Sequence, residues 1–339
     1  MKISPLSVTL PFPPLPHLPQ SLLRQVNRVR RTALPGTTFP RTALPGTTPS
    51  PTAPSGAALS ETAPSQTPLP GTVLRAAALD LVVLTGHLLL YPTGIPQERP
   101  IPSLPPEAER LPTEGRAQPP VVLLHGFADN RSVFVLLRRS LSRHGRRPLI
   151  SLNYSPLTCD IRTAAELLGR HIEEVRARTG HRRVDVVGHS LGGLIARYYV
   201  QRLGGDTRIR VLVTLGTPHG GTTAVPLAGV HPVVRQMRPG SAVIEELRLP
   251  APGCRTRFVS FWSDVDQLMA PVRTARIDHP DLSVENVRVS GVGHLALPVH
   301  PGVMAGVLRA LESDVPSAAE EADGETIARR SADGSVSVA

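Results

Sequence analysis

"VDVVGHSLGG", residues 184–193, decides how the rest of the chain is read. An apolar run ends at Gly188. A histidine, a serine and two more glycines follow, and then a stretch with helical spacing. A small hydroxyl between glycines, where a strand gives way to a helix, is the G-x-S-x-G pattern in which a sharp turn lifts a serine to the carboxyl end of a sheet. Gly188 and Gly192 occupy the elbow positions where side chains would collide with the turn. Ser190 then lies at a helix N-terminus, whose free amides favour developing negative charge.

Working outward, strand and helix signals alternate. "PPVVLLHG" is a short apolar run ending at Gly126, residues 131–144 have helical spacing, and "RPLISLNY" reads as a strand. Residues 160–179 are predicted helical, with Asp160 as N-cap and Gly180 beyond the end. "RRVDVVG", a helix over 191–203, and "IRVLVTLG" continue the series; "TRFVSFW", "NVRVSG" and a helix over 300–312 close it. Such units imply an α/β fold, a mostly parallel sheet with helices on both faces.

A serine hydroxyl is a weak nucleophile until a base takes its proton. In this chain order the acid and then the histidine follow the serine. His294, in "VRVSGVGHLAL", lies in a loop after the last strand signal and is the expected base. His219 and His231 precede the acid candidates, His279 precedes the last strand, and His300 begins the terminal helix. "SDVDQLMAP" offers Asp266 as the orienting acid and Asp264 as the alternative, with Asp264 read as shaping the turn. The tetrahedral intermediate needs backbone donors: Leu191, after the nucleophile, and Phe127, after His125-Gly126.

Ahead of this region the texture differs. Much of the chain's proline, 37 residues in all, lies before residue 121, and "RTALPGTT" occurs at 31–38 and again at 41–48. Residues 1–72 are read as a disordered Pro-rich arm. Residues 73–117 are an apolar helix followed by a Pro-rich linker, 118–312 the catalytic domain, and 313–339 a disordered tail. "VLRAAALDLVVLTGHLLLY", 73–91, approaches the length of a membrane span but contains Asp80 and His87, seven residues apart and so on one helical face. A helix docked on the catalytic domain and an export or anchor segment both stay open. An exported or membrane-associated location is favoured, a cytoplasmic one is the alternative, and a membrane surface is a candidate partner.

The net charge of +10 is carried almost wholly by arginine, with Lys2 the only lysine. No basic stripe interleaves with aromatics, so no nucleic-acid partner is expected. Two cysteines, Cys159 and Cys254, allow one disulfide in an exported protein and no metal site of their own.

Six stretches occur together in order: "HGFADN" (125–130), "GHSLGG" (188–193), "LGTPHGGT" (215–222), "MRPGSAVIEEL" (237–247), "FWSDVDQLM" (261–269) and "GVGHLAL" (291–297). On these the chain resembles the α/β-hydrolase superfamily, and within it bacterial serine lipases and esterases, including triacylglycerol lipases of actinobacterial type. The resemblance implies Ser190 as nucleophile, Asp266 as acid, His294 as base, Phe127 and Leu191 as oxyanion donors, and a lipid or small ester as substrate. It implies no cofactor. The chain departs from the family in its long arm before residue 118 and in lacking a clear calcium-site carboxylate pair, so no metal is expected. Residues 222–255, the main variable insertion, are apolar enough to line an acyl pocket or form a short lid, or else pack as ordinary helices. An acyltransferase or lipid deacylase with the same triad, and a non-catalytic binding protein on this fold, are the rival readings.

Overall fold

The computed structural model describes residues 69–95, 118–127, 129–144, 147–155, 160–224 and 231–313. The expected arm up to residue 68, the linker from 96, Cys159 and the tail from 314 lie outside these residues.

Six strands form one all-parallel sheet: β1 (Val121–Leu124), β2 (Leu149–Leu152), β3 (Val184–His189), β4 (Ile209–Leu215), β5 (Arg257–Ser263) and β6 (Ser283–Val289). Their spatial order is β2-β1-β3-β4-β5-β6. A parallel sheet needs crossovers that cover both faces, which is why the inner strands read as unbroken apolar runs. All of β1 and β3 is buried. The chain passes from β1 outward to β2 and then back to β3 on the other side of β1, so the strand order switches between β1 and β3. The crevice outside the carboxyl ends at such a switch is where α/β folds bind ligands.

Helices α3 (Ile161–Thr179) and α4 (Leu191–Arg202), together with the short α5 (Pro232–Gln236) and α6 (Ala242–Glu246), pack on one face of the sheet. On the other face lie α2 (Val135–Arg143), preceded by a 3-10 turn over Arg131–Phe134, and α7 (Pro301–Glu312). The periodicity of α3 explains its docking. Ile161, Ala164, Ala165, Leu168, Ile172 and Val175 are buried at helical spacing, and burying a side chain such as Leu168 contributes about 1.5–3 kcal/mol. Its ends follow the sequence: Asp160 Oδ1 accepts from Thr163 N at 2.7 Å, and Gly180 takes a left-handed φ of 72°. In the 222–255 insertion, α5 and α6 bury Val233, Val234, Val243 and Ile244 in the core, so its described helices pack as ordinary helices; residues 225–230 lie outside the described ones.

The apolar segment near the start is a docked helix, α1 (Pro70–Gly94), and is longer than expected at both ends. It runs through Tyr91-Pro92, where proline predicted a linker. Pro92 sits in the last turn, where the N–H it lacks leaves Leu88 O without that bond but only Thr93 and Gly94 follow it in the helix. The end is held from outside: Asn130 Nδ2 donates to Tyr91 O at 2.8 Å, and Asn153 Nδ2 to Gly94 O at 2.7 Å. Cys254 is a free, half-buried thiol.

Candidate active site

The turn between β3 and α4 is as tight as its glycines demand. Ser190 has φ 52° and ψ −120°, and among the described residues it is the one non-glycine with positive φ. Such strain persists only when the surroundings over-determine it, and it costs on the order of 1–3 kcal/mol. Those surroundings are explicit. A Cβ on Gly188 would come within 2.5 Å of Gly193 Cα, and one on Gly192 within 2.6 Å of His125 O. Ser190 N donates to Leu215 O at 2.9 Å, and Thr217 Oγ1 donates to Ser190 O at 2.9 Å. The hydroxyl is thereby presented half-buried at the carboxyl rim of the sheet, at the N-terminus of α4.

The β1 loop lies against this turn across the switch point. A Cβ on Gly126 would sit 3.4 Å from Ser190 Cβ. The backbone N–H groups of Phe127 and Leu191 donate no hydrogen bond among the described residues. Phe127 also touches His231 edge-on, with ring centroids 5.2 Å apart.

Asp266 and His294 meet although 28 residues separate them. His294 Nδ1 and Asp266 Oδ2 are 2.8 Å apart, and both side chains are buried. Asp266 Oδ1 accepts from Leu268 N at 3.0 Å, which fixes the carboxylate. Burial pulls the His294 ring toward its neutral form. The charge and hydrogen bond of Asp266, with Asp129 and Asp80 farther off, outweigh that pull and raise its pKa above the ordinary 6.5.

Asp264, the alternative acid, points elsewhere. Its carboxylate takes Gly291 N at 2.9 Å and Arg288 Nη2 at 2.8 Å. With Ser263 Oγ donating to Val292 O, it joins the loop after β5 to the loop after β6, and so shapes the segment that carries His294. Three of the four rival histidines have structural partners. His219 Nε2 is 3.0 Å from Thr214 Oγ1, with burial pushing its pKa well down. His279 Nε2 is 3.1 Å from Leu249 O, His231 accepts from Val233 N as the N-cap of α5, and His300 precedes α7.

Ser190 and His294 make no direct hydrogen bond among the described residues. They adjoin through His189, whose ring lies 4.9 Å from that of His294 and whose Nε2 is 3.3 Å from His294 O. Catalytic hydrogen bonds are often long or open before substrate arrives.

Four polar residues, Asp80, His87, Asp129 and His189, lie beside this group without the sequence having placed them there. Asp129 Oδ2 is 3.5 Å from His189 Nδ1, and Asp129 Oδ1 is 3.7 Å from His87 Nδ1. Asp80, on α1, accepts from Ala296 N at 3.0 Å, two residues past His294. The signal for Asp80 and His87 was present, two polar side chains on one face of an apolar helix, but not the identity of what they meet. Among the described residues no group of three or more His, Cys, Asp or Glu side chains is arranged to hold a metal ion.

Comparison with known proteins agrees with this fold. Residues 119–239 match a family model described as the alpha/beta hydrolase fold. The chain is 30% identical over 125 residues to a triacylglycerol lipase of Burkholderia plantarii, which is 34% of this chain and 34% of that protein. It is 31% identical over 111 residues to a triacylglycerol lipase of Pseudarthrobacter phenanthrenivorans, covering 30% of this chain and 34% of that one. The matches thus span about a third of the length of these relatives. Among solved structures, lipase B of Aspergillus fumigatus superposes with a TM-score of 0.56 at 18% identity, covering 70% of this chain and 69% of that one. The fold is that of the α/β hydrolases, and the chain resembles bacterial lipases.

Proposed function

We propose that this α/β hydrolase is a serine carboxylic-ester hydrolase acting on lipid esters, with Ser190 as nucleophile, His294 as base and Asp266 as orienting acid. The observation that carries the reading is the buried 2.8 Å pair of His294 and Asp266 at the sheet rim that also carries the strained Ser190. The lipid part of the reading is supported by the names of the two lipase relatives.

The chemistry follows from the arrangement. When substrate closes the remaining gap, His294 Nε2 takes the Ser190 proton as Oγ bonds to the ester carbonyl carbon. The carbonyl oxygen becomes an oxyanion, received by the N–H groups of Phe127 and Leu191. Each such donor typically contributes about 2.7–4 kcal/mol of transition-state stabilisation. The C–O bond to the alcohol then breaks, and the departing alkoxide takes the proton from His294. Water, deprotonated by the same ring, cleaves the acyl-enzyme and restores Ser190. Asp266 holds the Nδ1–H tautomer and stabilises the imidazolium throughout.

The test is turnover of chromogenic esters of rising chain length, beside covalent labelling by a fluorophosphonate. Wild type is expected to label at Ser190, and Ser190→Ala to lose at least about a thousandfold in turnover. Activity surviving that substitution would identify the wrong nucleophile. Folded protein that does not label would favour a non-catalytic binding role, and acyl transfer to an added alcohol at the expense of hydrolysis would favour an acyltransferase.

A further inference from the structure

α1 carries apolar side chains on every side, yet only one side of it is covered. Ala76, Asp80, Val83, His87, Leu90 and Gly94 step by four and three residues and form the side toward the enzyme. Its two polar members meet loops of the candidate site: Asp80 at Ala296 N and His87 at Asp129. The contact is close, since a Cβ on Gly293 would come within 2.5 Å of Asp80 Oδ1. On the other side Leu74, Leu81, Val82, Leu88 and Leu89 are each 64–72 % exposed. Thr85 among them bonds back to Leu81 O at 2.9 Å, and the exposed Arg75 stands at the flank of the strip. A helix apolar on every side belongs in a protein core or in lipid. This one is not in the core.

We propose that α1 lies in the plane of a phospholipid bilayer surface, its outer leucines in the acyl boundary and its polar edge fastened to the loops that carry His294. The alternatives fit less well. A span would have to strip α1 from the enzyme, which holds it along its length: Thr72 beside Gly291, Asp80 at Ala296, and Tyr91 and Gly94 at Asn130 and Asn153. A second copy would bury too little. A helix of 25 residues is about 37 Å long and offers a strip about 10 Å wide, so two copies would bury about 750 Å², no more than a packing contact. A lipid surface sets no such minimum, and in-plane helices sink about 5–10 Å into it. Resting on the ester-lipid reading of the site, this orientation sets the loops that carry His294, which α1 holds, next to the phase in which lipid esters reside.

The experiment is flotation of the full chain with preformed phosphatidylcholine vesicles, read separately from fluorophosphonate labelling. Wild type is expected to float. A variant carrying serine at Leu74, Leu81, Val82, Leu88 and Leu89 is expected to partition at least about a hundredfold less, with an unchanged circular dichroism spectrum. Protease added outside the vesicles is expected to cut the chain on both sides of α1. Flotation unchanged in the serine variant would overturn the proposal, as would protection of either flank, which means a span. A wild-type dimer that the serine substitutions dissociate would assign the face to a second copy instead. Labelling without flotation removes the bilayer and leaves the esterase; flotation without labelling does the reverse.

Discussion

The serine turn and the histidine loop stand side by side at one rim of the sheet, yet they are built by different means. The turn is made locally. Gly188 and Gly192 clear its interior, Ser190 takes the strained conformation, and the β4 end two segments later holds it through Leu215 O and Thr217. The histidine loop is made from afar. Ser263 and Asp264 reach it from the β5 loop, Asp266 orients the ring, and Asp80 grips Ala296 N from a helix 216 residues earlier in the chain. A local device fails all at once when one atom is added. A distributed one loses function in steps as its supports are removed one by one.

That contrast can be tested from its largest consequence downward. Asp266→Asn keeps the shape of the acid but favours the wrong tautomer of His294, and turnover of a soluble ester is expected to fall by about 10⁴-fold. A loss smaller than tenfold would mean the histidine is held well enough without it. Gly192→Ala drives a Cβ against the backbone oxygen of His125, where nothing flexible can give. Urea unfolding is expected to show destabilisation of about 3 kcal/mol, with activity lost in parallel. Near-wild-type stability would show the turn less tightly determined than its geometry implies.

Asp80→Asn weakens one distant support and removes a charge that favours protonated His294. Turnover is expected to drop by about tenfold, as for loss of a charge-assisted hydrogen bond. The acid limb of kcat/KM is expected at higher pH than an ordinary histidine would set in the wild type, because the pKa of His294 is raised, and should move to lower pH in the variant. A loss of activity with the limb unmoved would reduce Asp80 to a merely structural contact. Asp264→Asn, which touches the loop but not the ring, is expected to change turnover by no more than about threefold. Protein stability adds a check of its own. Because the folded pKa of His294 exceeds the unfolded value, its contribution is complete below about pH 6.5 and is lost as pH rises through the folded value.

What could be read from the sequence follows the same division. β3, the turn and α4 were legible because the residues that signal them, the apolar run and Gly188, Ser190 and Gly192, stand within a dozen positions of one another, and the ends of α3 because Asp160 and Gly180 are local signals. Asp266 and His294 were placed by chain order, and the structure brings those two together. The run of α1 past Pro92 was not legible, since the side chains that secure its last turn, Asn130 and Asn153, come from loops some forty to sixty residues on. Nor was the pairing of Asp129 with His189 and His87, which depends on how three separate elements converge. Periodicity shows that a helix has a polar edge, but not what will lie against it.

The fastening of α1 by Asn130 and Asn153 bears on where this protein can be cut. A recombinant piece beginning at residue 119, where family similarity begins, would contain every residue of the candidate triad. It would also leave two asparagine amides and the Ala296 N–H without the acceptors they now have. A piece that keeps the whole of α1, and with it these acceptors, begins fifty residues earlier, at its N-cap Leu69.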